Sequence, residues 1–159
     1  MTSPTTPHSK NYRSKLNDSK YDLRLTTEVF DRNKGPIIQE LAPYLNTING
    51  KALEIGSGTG QHLSNFAKHF DKISWQGSDL DEIHCQSTDA WAEYFSLKIP
   101  KTLKLDASLD WLKVIKQKKK FNIIISMNVI HIAPISVLNG IFINATRLLR
   151  KNGLLIFYG

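Results

Sequence analysis

Residues 51–63, "KALEIGSGTGQHL", constrain the fold more than any other stretch of the chain. A short apolar run carries Glu54 and then meets glycine at 56, 58 and 60, before residues of helical spacing resume. Glycine admits left-handed backbone and lets a ligand approach the main chain closely. The stretch is therefore predicted to be a buried strand, a tight ligand-facing turn and the start of a helix.

The flanking sequence repeats that alternation. "QHLSNFAKHF" has helical spacing, "ISWQGSD" reads as a strand ending at Asp79, and a helix follows through Ile83, Ala90, Trp91 and Tyr94. "TLKLD" is a third strand, "LDWLKVIKQ" a short helix, "FNIIIS" a fourth strand and "PISVLNGIFINATRLLR" a helix ended by Gly153, before a fifth strand "LLIFYG". Upstream, residues 26–46 are predicted to be helical, interrupted near Gly35–Pro36 and kinked or ended near Pro43. Residues 1–20 read as a flexible polar tail and 21–159 as a single domain. Alternating strands and helices, with near-continuous apolar runs in the first, fourth and fifth strands, imply an α/β sandwich of three layers around a parallel sheet. Right-handed crossovers give the order 3-2-1-4-5, with a ligand crevice at the C-terminal ends of strands 1 and 4.

The single cysteine, Cys85, excludes an internal disulfide and a four-thiolate metal site. No apolar stretch approaches the roughly 20 residues that span a bilayer, and the first residues lack a signal-peptide core, so no membrane association is expected and a cytoplasmic location is the default. The net charge of +7 raises the question of nucleic acid. No aromatics interleave with the run "KQKKK" at 116–120, which reads as a solvated helix end.

Three ligands compete for the glycine loop. A P-loop needs Lys and Ser or Thr after the glycines, where this chain has Gln61 and His62. A dinucleotide fingerprint wants glycine at the position of Gln61. S-adenosylmethionine fits better. Its amino-acid end carries a carboxylate that helix-start N–H groups favour, and an ammonium that Glu54 could pair with.

Other candidates follow the strand ends. Asp79 either accepts from ribose hydroxyls or caps a helix, and Asp81 reads as a first-turn acid, with ribose contact as its lesser alternative. Asp106 either accepts from the adenine amine, with Ala107 packed on the ring, or caps a helix beginning near Leu109. Ser126, Met127 and Asn128 fall at the crevice. Asn128 and His131 share a face if their segment turns helically; either could orient an acceptor or take its proton, and His131 could equally pack beneath the loop. No second histidine or cysteine has ligand spacing, so no metal site is expected.

In "DRNKGPI", "LEIGSGTGQH", "WQGSDLD", "MNVIHIAP" and "NGLLIFYG" the chain resembles the class I S-adenosylmethionine-dependent methyltransferases, and more narrowly the methyltransferase-like 26 family. The resemblance implies a Rossmann-like fold that binds S-adenosyl-L-methionine and releases S-adenosyl-L-homocysteine. It implies a cofactor site from Glu54, Gly56, Ser57, Gly58, Gly60, Asp79, Leu80, Asp106, Ala107, Met127 and Asn128, with Arg32, Asn33 and Lys34 over the pocket. Asn128 and His131 become the acceptor-side, catalytic candidates. Such enzymes have seven strands, so a chain stopping at Gly159 after the fifth is expected to be truncated, lacking strands 6 and 7. It would expose a sheet edge open to self-association. The expected function is methyl transfer to a small-molecule acceptor, with nucleic acid disfavoured for want of a separate binding module. The rivals are a non-catalytic cofactor-binding or interaction protein and a nicotinamide-dependent oxidoreductase, which Gln61 argues against.

Overall fold

A computed structural model describes residues 22–116 and 118–159; the tail assigned to residues 1–20 lies outside them. Its elements are α1 (Glu28–Leu45), β1 (Gly50–Ile55), α2 (Gln61–His69), β2 (Ile73–Asp79), α3 (Glu82–Tyr94), β3 (Leu103–Lys104), a 3-10 turn (Trp111–Lys113), β4 (Phe121–Met127), α4 (Ile135–Leu148) and β5 (Leu149–Tyr158). The five strands form one sheet in the order β3-β2-β1-β4-β5, every pair parallel. Winding reverses at β1, whose two edges pair with β2 and β4. This is the topology expected from the alternation of elements.

Side chains of successive residues leave opposite faces of the sheet, and each face buries its own core. Ala52, Trp75, Ile123 and Ile125 pack with Leu41, Leu45 and Phe66 of α1 and α2. Leu53, Ile55 and Ile124 pack on the other face with Trp111, Ile141 and Leu148. By this alternation Glu54 falls on the face of Ala52, towards α1 and α2.

The structure corrects four local readings. First, α1 runs unbroken through Pro36 and Pro43. Internal proline costs a helix about 3 kcal/mol, and the stripe Ile37, Leu41 and Leu45, buried in the core, offsets it. Second, the helix expected around residues 109–117 is only the 3-10 turn, capped by Asp110 accepting from Leu112 N at 3.0 Å. Third, β5 begins at Leu149 directly after α4, and Gly153 marks a shift in register rather than the helix end. Asn152 beside it has φ of 63°. Residues 154–157 are only half-buried on this edge strand, not enclosed on both faces. Fourth, the lysine run does not end its own helix. Lys119 serves the C-terminus of α4 instead, donating from Nζ to Thr146 O at 2.6 Å and from its backbone N to Arg147 O at 3.0 Å.

Candidate functional site

The loop between β1 and α2 is left-handed at all three glycines, with φ of 72°, 56° and 82° at Gly56, Gly58 and Gly60. A side chain at Gly60 would strike the Thr88 backbone, and one at Gly56 would meet Val129 Cγ2 at 2.5 Å. At Gly58 nothing lies within 4 Å of where a Cβ would stand. Two glycines are thus required by the protein's own packing, while the middle one faces open space.

The loop is held from β2. Gly56 N and Ser57 N both donate to Ser78 O at 2.9 Å, and Ser78 Oγ donates to Glu54 O at 2.7 Å. Asp79 completes the frame. Its Oδ2 accepts from Gly58 N at 2.8 Å, and its Oδ1 accepts from Asp81 N at 2.9 Å and lies 3.2 Å from His84 Nδ1. Burial alone would lower the His84 pKa; the hydrogen bond and charge of Asp79, with that of Asp81, carry it above the ordinary value. Asp79 therefore does not cap α3. Asp81 does, accepting from Ile83 N at 2.9 Å, rather than serving as a first-turn acid.

Glu54 is 1% exposed, and its Oε2 has no hydrogen-bond partner among the described residues. Burial pushes its carboxyl up to about 8; a hydrogen bond with Ser57 partly offsets this, and the charge of Asp79 adds to it. A buried carboxyl with a spare oxygen beneath a left-handed glycine loop is an arrangement poised to take a cation or donor.

The remaining candidates stand at neighbouring strand ends. Leu80 is exposed after β2, and Met127 is buried at the end of β4. Asn128 is left-handed at φ 56°, its N donating to Tyr158 O at 2.7 Å. The turn that follows, closed by Ala133 N to Val129 O at 3.0 Å, starts after it, so Asn128 and His131 do not share a helical face. His131 is exposed within that turn rather than packed beneath it. Asp106 caps no helix at Leu109: its Oδ1 accepts from Ser108 N at 2.9 Å and Ser108 Oγ at 2.6 Å. The Ala107 carbonyl accepts from Trp111 Nε1 at 3.1 Å. Arg32 and Asn33 lie in the second turn of α1, and Lys34 is paired with Asp31 at 2.8 Å.

Sequence reasoning missed how α1 is tied to the loop. Gln61 Oε1 accepts from Thr27 N at 2.9 Å and from Thr59 Oγ1 at 3.1 Å, so the residue that spoils the dinucleotide fingerprint pins the start of α1. His62 packs between Phe30 and Phe66, with ring centroids 5.0 and 5.8 Å away, and burial lowers its pKa to about 4. Just upstream, Leu25 N donates to Ser87 Oγ at 2.8 Å and Trp91 Nε1 donates to Leu25 O at 2.8 Å. Arg24, paired with Asp22, lies 3.9 Å over the Tyr94 ring. The departure of Gln61 from glycine was the only signal of this in the sequence.

A cleft of about 430 Å³ opens between α1 and β5, lined by Ile37, Leu41, Tyr44, Met127, Ile156 and Tyr158. Among the described residues no three His, Cys, Asp or Glu side chains group to hold a metal. Nor, among them, is any helix long and apolar enough to cross a membrane.

A family model described as a protein of unknown function, DUF938, matches residues 24–159. Among solved structures, the PH0226 protein of Pyrococcus horikoshii superposes with a TM-score of 0.69 at 17% identity, over 90% of this chain and 63% of that one. PKMT2 of Rickettsia typhi, solved in complex with AdoHcy, gives 0.57 at 25% identity over 67% and 20%. A Clostridium acetobutylicum S-adenosylmethionine-dependent methyltransferase gives 0.61 at 20% identity over 80% and 49%. The chain spans less than two thirds of each of these proteins. The fold is a Rossmann-like one shared with S-adenosylmethionine-dependent methyltransferases of known structure.

Proposed function

We propose that this chain, which belongs to the DUF938 family, binds S-adenosyl-L-methionine at the C-terminal ends of its strands and methylates a small-molecule acceptor. Glu54 carries the reading. Its buried, partnerless Oε2 under the glycine loop suits the ammonium of that cofactor's amino-acid end. The open space at Gly58 suits close approach of the same group. A pyrophosphate would set two further negative charges beside a buried acid.

In this reading Gly56, Ser57, Gly58 and Gly60 cradle the amino-acid end, with the N-terminus of α2 favouring its carboxylate. Asp79 orders the loop and, with Leu80, borders the ribose. Asp106 and Ala107 border the adenine, and Met127 and Asn128 close the inner wall. The cofactor, when bound, supplies a methyl group activated by its sulfonium. The chain's own residues align the acceptor with that methyl and exclude water. Asn128 orients the acceptor, and His131 takes the proton that it loses. The apolar cleft beside Met127 and Tyr158 admits an acceptor of modest size, and Arg32 and Asn33 on α1 favour an anionic one. We assign the chain to the methyltransferase-like 26 branch, as a single domain over residues 21–159 acting in the cytoplasm.

Calorimetry with S-adenosyl-L-methionine and S-adenosyl-L-homocysteine tests the reading; both should bind, and binding of neither would sink it. A methyl-release assay with Asn128→Ala and His131→Ala should show slower turnover with cofactor affinity held for His131→Ala. The exposure of His131, which makes no hydrogen bond among the described residues, favours a second reading as a non-catalytic cofactor-binding protein. Binding without methyl release under any acceptor tried would select it.

A further inference from the structure

At the opposite end of the sheet a second pocket, about 460 Å³, is lined by Lys51, Lys72, Lys98 and Arg150 against the single carboxylate of Asp71. None of the four cations forms an ion pair among the described residues. Asn122 shares the lining and is fixed. Its Oδ1 accepts from Lys51 N at 3.0 Å, which leaves its amide N–H groups as donors. In sheet order the donors sit one at the foot of each strand. Lys98 precedes β3, Lys72 precedes β2, Lys51 is in β1, Asn122 in β4 and Arg150 in β5. Neighbouring strands are about 4.8 Å apart, so the row extends for roughly 20 Å.

We infer that this pole binds the phosphate backbone of a nucleic acid. A row of that length exceeds one phosphate and matches phosphates repeated along a strand. None of the lining residues is aromatic, so the contact would grip backbone without reading sequence. The pocket is concave, which admits a protruding phosphodiester better than a planar lipid surface. β1 spans six residues from the pocket to the glycine loop, about 20 Å at the rise of a strand. The pole is therefore a tether, and what it holds does not occupy the proposed cofactor site.

Fluorescence anisotropy with a short labelled duplex DNA tests the inference on the full chain. Affinity should fall with salt at a logarithmic slope of about −0.9 for each phosphate engaged. Lys72→Glu and Arg150→Glu, both at exposed positions, should each weaken binding by about tenfold and flatten the slope by about 0.9. Asn122→Asp keeps the acceptor for Lys51 N and should weaken binding too, whereas Lys68→Glu, a cation outside the pocket, should not. Saturating duplex should leave S-adenosyl-L-methionine titrations unchanged. The inference fails if Lys68→Glu weakens binding as much as Lys72→Glu. It fails equally if inorganic phosphate at low concentration displaces the duplex, or if phosphatidylserine vesicles bind the chain and the duplex does not.

Discussion

β1 begins at Gly50 beside exposed Lys51 and ends in buried Glu54 and Ile55; β2 follows exposed Lys72 and ends in buried Asp79. The same two strands thus supply a basic, open end and an acidic, enclosed one. At the enclosed end the backbone turns left-handed, and Gly56 N, Ser57 N and Gly58 N are tied to the end of β2. At the open end the chain enters the strands from ordinary loops, and its cations form no ion pair among the described residues. A parallel sheet makes this division possible, because all strand beginnings gather at one pole and all strand ends at the other. Some 20 Å separates the poles, beyond the Debye length of about 8 Å at physiological ionic strength. Each can be changed without retuning the other.

That independence can be broken experimentally. The largest effect is expected at Gly60, where Ala needs left-handed backbone and meets the Thr88 main chain. Gly60→Ala should destabilise the fold by on the order of 3 kcal/mol in denaturant melts. Gly50→Ala at the basic pole meets only the side-chain amide of Asn122, which yields by giving up its bond to Lys51 N, and should cost about 1 kcal/mol. Equal losses would contradict the contrast. Glu54→Gln should weaken S-adenosyl-L-methionine binding by about 10- to 100-fold, the value of a hydrogen bond to a charged group. The same variant carries a pH signature. The folded carboxyl holds its proton up to about 8 against an ordinary value of 4.5. The folded state therefore binds more protons than the unfolded across that window. The Glu54 contribution to the stability of the ligand-free protein should fall as pH rises through it, by at most about 1.4 kcal/mol per pH unit, with no further loss above it. Buried His62, held at about 4, works in the opposite direction up to its ordinary 6.5. In Glu54→Gln that decline should vanish from thermal melts. Gly58→Ala has space but the wrong φ, so it should cost about 1 kcal/mol of stability yet lower cofactor affinity as seen by calorimetry. Smallest of all, Lys72→Glu should shift stability by less than about 0.5 kcal/mol and leave cofactor affinity as it was.

The acidic pole was far more legible in the sequence than the basic one. Glycines at alternate positions after an apolar run announce a turn whatever surrounds them, and strand order followed from handedness alone. Glu54 could be named because its neighbours on both sides are apolar. Its orphaned oxygen could not, since that depends on what fails to arrive from β2. Asp81 caps α3 in place of Asp79 for a similar reason: which carboxylate does so is set by the chain's path after Ser78. The continuity of α1 through two prolines was hidden because packing of Ile37, Leu41 and Leu45 overrode a local rule. The lysines at 118–120 looked like the end of the preceding helix, while Lys119 reaches the carbonyls of α4 from 27 residues away. At the basic pole, Lys51, Lys72, Lys98 and Arg150 are scattered over 100 residues of chain, and only the sheet lines them up.

The ties between Leu25 and Ser87 and between Leu25 and Trp91 span 62 and 66 residues. Ribosomal synthesis therefore releases the segment before α1 long before α3, its anchor, exists. The first part of the domain to be made is among the last to dock. During elongation Gln61, which pins Thr27, emerges well before Ser87 and Trp91. Growth of the chain thus fastens the glycine loop to α1 first, and seals the strap against α3 afterwards.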